Sequence, residues 1–182
     1  GSDGELAALA LAGRQDAYRE LLARHRDAVF RLVRASVGDP HEALDVTQET
    51  FIAAFSALGR YDHGRPFVAW LKHIALNKCR DWGRRRKVRA FFTRAVPLEM
   101  AFDVSDDAIP ADVQAADRAE LARVTAAISR LPSRLREALV LRTIDGLGQA
   151  EAADALGVSE KTVETRLYRA RGKLKAMLGD QI

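Results

Sequence analysis

The sequence predicts an all-α protein of two small helical domains joined by an acidic, flexible connector. Three observations predict this. Apolar residues recur at helical spacing through most of the 182-residue chain, with no convincing strand alternation and no internal repeat. Charge comes in blocks. Residues 1–93 hold 16 Lys/Arg against 11 Asp/Glu, residues 94–116 hold one Arg against five acids, and residues 117–182 hold 12 Lys/Arg against nine acids. The stretch 149–171, QAEAADALGVSEKTVETRLYRAR, reads as two short helices around a tight turn.

Hydrophobic residues make up 48% and charged residues 30%, a balance that folds rather than stays disordered. The net charge is +4 and the pI near 9.5, and two basic blocks flanking an acidic one suggest two nucleic-acid surfaces. A single cysteine, Cys79, excludes an intrachain disulfide. Nothing approaches about 18 consecutive apolar residues, so no membrane span is expected. No secretory signal opens the chain, and the expected compartment is the cytoplasm. Gly1-Ser2, without a Met, is set aside as a remnant. The expected domains are 1–92, the connector 93–116, and 117–182.

Residues 3–12 predict one or two helical turns. A longer helix is expected over 15–37, with Tyr18, Leu21, Leu22, Val29, Phe30, Leu32 and Val33 on a broad apolar face and Gly38 ending it. Asp39-Pro40-His41-Glu42 restarts a helix, with Asp as N-cap and Pro in the first turn. Over 40–58, Leu44, Phe51, Phe55 and Leu58 are expected to meet the core. Asp45, Glu49, Ile52 and Ser56 form a second stripe, open to two readings: a solvated face or a protein-binding face.

Residues 59–66, GRYDHGRP, are a loop by composition. The helix from Phe67 to about Arg86 is expected to turn Phe67, Leu71, Ile74 and Trp82 inward, with Trp70 at the edge. Lys72, His73, Leu76, Asn77, Arg80 and Arg84 are expected outward. Residues 72–94 hold nine Lys/Arg and one Asp, which fits phosphate binding or a solvated basic face. The connector, with Pro97, Pro110 and five acids, has no persistent period. Helices then follow over 117–131, with Leu121, Val124, Ile128 and Leu131 on one face, and over 134–144.

In 149–171, Ala152, Ala153 and Leu156 form a small apolar stripe, Gly157 ends the first helix and Ser159 caps the second. Val163, Leu167, Ala170 and Leu174 share one face. Lys161, Thr165, Tyr168 and Arg169 project the other way, flanked by Arg166 and Arg171. A helix of that kind suits a DNA major groove, and the pair reads as a helix-turn-helix. The bland alternative is a helical hairpin with a solvated basic face.

No enzyme chemistry is legible. The four histidines and Cys79 show no metal-ligand spacing, and no phosphate loop, GxSxG or dinucleotide glycine pattern occurs. No cofactor is implied.

These motifs together resemble a known family. The run 45–51, DVTQETF, looks like sigma region 2.2. Pro66-Phe67-Val68-Ala69-Trp70-Leu71, with Ile74, Ala75, Asn77, Asp81 and Arg84-Arg85-Arg86, looks like regions 2.3 and 2.4. Residues 131–142 are similar to region 4.1, and 162–171 look like region 4.2. The order of motifs, with only a short connector between, resembles the extracytoplasmic-function (ECF) class of bacterial RNA polymerase sigma factors.

That resemblance implies a non-enzymatic transcription initiation factor. Asp45, Gln48, Glu49 and Ile52 would bind the β′ coiled coil of core RNA polymerase, and the C-terminal domain would meet the β flap. Tyr61, Asp62, His63, Lys72, Asn77, Arg80, Arg84 and Lys87 would open and hold the −10 element. Lys161, Thr165, Arg166, Tyr168, Arg169 and Arg171 would read the −35 element. The acidic connector would thread the polymerase's positively charged channel, and a cognate anti-sigma factor is expected. Two rivals are a stand-alone regulator using only the helix-turn-helix and a nuclease or recombinase fragment. The first leaves the N-terminal basic domain and the Asp45 stripe without a role. The second lacks clustered carboxylates for metal ions.

Overall fold

The computed structural model describes residues 1–93 and 114–179. Among them are eight α-helices and no strand. The N-terminal bundle comprises α1 (Asp3–Leu11), α2 (Gln15–Val37), α3 (Pro40–Ser56) and α4 (Phe67–Thr93), with a 3-10 turn at Leu58–Arg60. The C-terminal bundle comprises α5 (Gln114–Arg130), α6 (Ser133–Leu139), α7 (Gln149–Leu156) and α8 (Glu160–Leu178). A single π turn, Val140–Ile144, continues α6. Residues 94–113, most of the expected connector, lie outside the described residues. Helix α4 runs past the expected Arg86, and α5 begins ahead of the expected Asp117.

Local chemistry sets most of these ends. Gly38 sits at φ +85°, where a side chain would be strained, and closes α2. The Asp39 carboxylate accepts from the His41 and Glu42 amides at the start of α3, and Pro40 fills the first turn. Ser159 accepts from the Thr162 amide at the start of α8. Ser2, set aside as a remnant, caps α1 and completes a reciprocal capping box with Glu5.

Leu21, Val29, Leu32, Val33, Leu58 and Leu71 are fully buried in the N-terminal core, each contributing about 1.5–3 kcal/mol of burial. The expected inward face of α3 is corrected at Leu44, which is 52% exposed. Ala43, Val46, Phe51 and Ala54 face the core instead. Leu121 is likewise exposed: α5 buries only its C-terminal half, through Ala127 and Ile128. In the C-terminal bundle Val163, Leu167, Ala170 and Leu174 are all buried, as their spacing predicts.

The two bundles touch. Helix α2 packs on the π turn and on α5, and α4 packs on α7, so one apolar cluster runs through both. This corrects the expected outward face of α4. Lys72 and Leu76 are buried, because the C-terminal bundle covers the side of α4 that its own bundle leaves open.

Candidate functional site

Helix α3 presents Asp45, Gln48 and Ile52 to solvent, with Ile52 67% exposed. On the buried side, Thr47 and Thr50 donate to the Ala43 and Val46 carbonyls one turn back, so neither hydroxyl is left unsatisfied. Glu49 is half-buried and accepts from Arg85 of α4 at 3.1 Å. The stripe is therefore continuous, but one of its carboxylates already has a cation.

The loop before α4 is built on Tyr61. Its ring is only 6% exposed, edge-on to Phe67 at 5.3 Å and tilted against Trp70. Its hydroxyl donates to the Arg65 carbonyl at 2.6 Å, and burial raises its pKa. The sequence offered Tyr61 as a loop contact; the structure makes it the floor of the loop. Asp62 accepts from the Gly64 amide and tightens the turn. His63 is exposed, with its ring 4.9 Å from that of Tyr61.

Along α4, Asn77, Arg84 and Lys87 are exposed. Arg84 pairs with Asp81, and Asn77 accepts from Arg80 at 3.2 Å. Trp82 donates its indole N–H to Glu42 at 2.8 Å and carries the Arg86 guanidinium over its ring. Arg84, Arg86 and Lys87 line a cleft of about 1010 Å³ against Arg130, Arg134 and Arg136 of the C-terminal bundle.

Lys72 and Arg80 are engaged across the domain junction. Lys72 Nζ lies 2.7 Å from Asp145 Oδ2, an ion contact without hydrogen-bond alignment, with the side chains 9% and 7% exposed. Arg80 forks onto both oxygens of Glu137, at 2.5 and 2.7 Å, and that bond raises the guanidinium's pKa. The Glu137 side chain is 3% exposed. His73 places its ring nitrogen 3.2 Å from the Ala155 carbonyl. Asp145 ends the π turn, donating its own amide to the Val140 carbonyl. Sequence reasoning gave neither Glu137 nor Asp145 a pairing role. For Glu137 the available signal was an acid set inside the apolar, basic run LREALVLR.

Helix α8 is open by contrast. Lys161, Thr165, Tyr168, Arg169 and Arg171 are exposed, Tyr168 by 81%, and Arg166 is half-buried. Its buried stripe is held against α6 and α7, and Gln149 of α7 donates to the Glu160 carbonyl. Gly157, at φ +65°, makes the turn between α7 and α8. A groove of about 350 Å³ runs between Arg134 and Leu135 of α6 and Lys161, Thr165 and Arg169.

Among the described residues no group of His, Cys, Asp and Glu is arranged to hold a metal ion. Cys79 is buried, and burial pushes its thiol up to about 12. No described helix is long and apolar enough to cross a membrane.

Two family models match the chain: Sigma-70 region 2 over residues 21–89 and Sigma-70, region 4 over residues 121–174. The RNA polymerase sigma factor CnrH of Cupriavidus metallidurans is 46% identical over 181 residues, covering 97% of this chain and 94% of CnrH. NccH of Alcaligenes xylosoxydans xylosoxydans is 40% identical, with 97% and 94% covered. The ECF RNA polymerase sigma factor SigW of Bacillus subtilis is 33% identical, with 92% of each chain covered. Among solved structures, CnrH in complex with the cytosolic domain of CnrY superposes with a TM-score of 0.71 at 39% identity, covering all of both chains. The sigma factor RpoE of Bartonella quintana, in complex with the anti-sigma factor NepR, shares the fold at a TM-score of 0.66 and 22% identity, covering 91% of this chain and 98% of that one.

Proposed function

The chain belongs to the ECF class of sigma-70 factors, and from that membership we propose how its surfaces divide the work of promoter recognition. It binds core RNA polymerase and directs it to promoters, and it acts in the cytoplasm without catalysing a reaction of its own. Residues 1–92 form the polymerase-binding and −10 domain, 117–182 form the −35 domain, and 93–116 join them.

The observation that carries this reading is the exposed α3 stripe. An isoleucine 67% exposed beside Asp45 and Gln48, within the matched region 2, supports a partner-facing reading of this stripe. Asp45, Gln48, Glu49 and Ile52 meet the polymerase β′ coiled coil. His63 and Asp62 present the loop to the unpaired −10 strand over the Tyr61 floor, while Lys72, Asn77, Arg80, Arg84 and Lys87 hold its backbone. Capturing an unstacked base costs a few kcal/mol, which the loop's hydrogen-bonding and ring groups offset. Lys161, Thr165, Arg166, Tyr168, Arg169 and Arg171 enter the −35 major groove, and the same domain contacts the β flap. CnrH is solved with the cytosolic domain of CnrY, which supports a protein regulator, an anti-sigma factor, for this chain too.

Asp45→Ala with Glu49→Ala tests the reading. The double variant is expected to keep its fold, each change costing within about 0.5 kcal/mol as surface substitutions do. It should lose affinity for core polymerase and run-off transcription from a genomic promoter library. Wild-type affinity in the double variant would remove α3 from the polymerase interface.

A further inference from the structure

The cleft of about 1010 Å³ between α4 and the C-terminal bundle is lined by charge of one sign. Eight arginines and lysines line it, and no acid does. On one wall Arg80, Arg84 and Lys87 follow at four- and three-residue steps along one face of α4. The other wall takes Arg130 from α5, Arg134 and Arg136 from α6, and Arg166 from α8. A recess of one charge between protein walls concentrates field lines and draws counter-ions into itself.

Partners within the chain account for only part of this charge. Arg80 is held by Glu137, Arg84 pairs with Asp81, and Arg86 lies over the Trp82 ring. Lys87, Arg130, Arg134 and Arg166 form no ion pair among the described residues. Arg136 is the extreme case, at only 6% exposed. Its Nη1 donates to the Ser129 and Leu131 carbonyls, at 2.9 and 3.4 Å, while its Nε is buried with no acceptor. The adjacent Glu137 has both carboxylate oxygens on Arg80. Burial lowers the Arg136 pKa, and the charge of Arg86 acts in the same direction. A buried guanidinium among other cations, with a donor unused, is costly until an anion completes it.

We infer that this cleft is a binding site for a small polyphosphate, its phosphate chain held between Lys87 of α4 and Arg130, Arg134 and Arg136 of the C-terminal bundle. Guanidinium forks match phosphate oxygens in pairs, and Lys87 adds a point charge from the facing wall. Donors on two sides suit a bare polyphosphate, which is charged at every successive phosphorus. A nucleic-acid backbone spaces its phosphates with sugars and must bring its bases along. The site goes beyond the promoter roles assigned above, in which Arg130, Arg134 and Arg136 have no part. Because both bundles supply donors, removing a cation from either wall weakens the same ligand.

The test is calorimetric titration of the full chain with inorganic tripolyphosphate at fixed ionic strength, without magnesium, which would compete for the phosphates. Saturable binding is expected. Arg130→Gln with Arg134→Gln, both at exposed positions, should keep the fold and weaken binding at least about tenfold, the worth of one charge-assisted hydrogen bond. Lys87→Gln, on the facing wall, should weaken it as well, and carries the test should the arginine pair fail to fold. Arg19→Gln with Arg31→Gln, exposed on α2 and outside the cleft lining, removes as much charge as the arginine pair and should leave affinity nearly unchanged. ATP and GTP separate the two sources of the ligand. Affinity no better than that of tripolyphosphate identifies the free chain, and tighter binding identifies a nucleoside polyphosphate. Absence of saturable binding, an equal loss in the α2 variant, or unchanged affinity in a folded cleft variant would overturn the site. The last arm is a mixed-sequence single-stranded DNA oligonucleotide. If the Arg130 and Arg134 changes cost as much DNA affinity as tripolyphosphate affinity, the cleft is a backbone groove and the small-ligand assignment falls.

Discussion

Helices α4 and α8, 27 and 19 residues long, are both strongly basic, and they meet their surroundings differently. Helix α8 has one buried stripe and one open face, and no ion pair among the described residues uses Lys161, Arg166, Arg169 or Arg171. Helix α4 is covered on two sides, by its own bundle and by α7, and its central cations are neutralised from outside. A similar density of positive charge is thus left open along one helix and in part already paired on the other. Net charge along a helix shows what it can bind; packing shows when.

The comparison breaks most severely if the core beneath either helix is emptied. Leu71→Ala, at a fully buried position under α4, should cost about 2–5 kcal/mol in urea unfolding. Leu167→Ala under α8, at a position slightly open to solvent, should fall at the lower end of that range. Equal and small losses would mean that neither helix is held by its apolar stripe.

A sharper separation comes from single cations. Arg169→Ala should cost about 1–3 kcal/mol on the preferred −35 duplex and less on a scrambled one, since a guanidinium on the outward face reaches base edges. Lys87→Ala should weaken all promoters alike and flatten the salt dependence by about one unit of slope, as loss of one phosphate contact does. Holoenzyme binding over a salt series reads both. A uniform loss for Arg169→Ala would make it a phosphate clamp and pass base reading to Lys161, Thr165 or Arg166.

The smallest effect concerns Cys79, buried in α4. Its folded pKa, about 12, stands above the ordinary 9.0, so the folded state holds the thiol proton more tightly than the unfolded chain. The resulting stability is complete below pH 9 and is lost as pH rises towards 12. Between pH 9 and 10 the loss should be about 1 kcal/mol. Cys79→Ala should flatten that stretch of the stability–pH curve; an unchanged curve would place the thiol in contact with water.

The helix-turn-helix was legible because everything that makes it is local. Gly157 and Ser159 mark its turn, and Val163, Leu167, Ala170 and Leu174 mark its inner face, all within one short stretch. The motifs of the matched regions were legible for the same reason. What escaped was contact between distant segments. Lys72 and Leu76 look solvent-facing from the period of α4, and both are buried in a helix that packs on α7, with Lys72 paired to Asp145. Leu44 failed differently: α3 turns Ala43, Val46, Phe51 and Ala54 to the bundle, and that face leaves Leu44 outside. Tyr61 carried composition that suits a nucleic-acid loop, and nothing in the run GRYDHGRP tells a floor from a contact.

Trp82 has a further consequence. The chain holds two tryptophans, both on α4, and the C-terminal domain has none. Trp70 packs on Tyr61 and Phe67 of its own bundle, whereas Trp82 lines the grooves where α4 faces α5. Parting the domains would therefore expose the Trp82 indole more fully to water. The protein thus carries its own fluorophore at the junction, and a red shift in its emission would report any parting of the two bundles with no label attached.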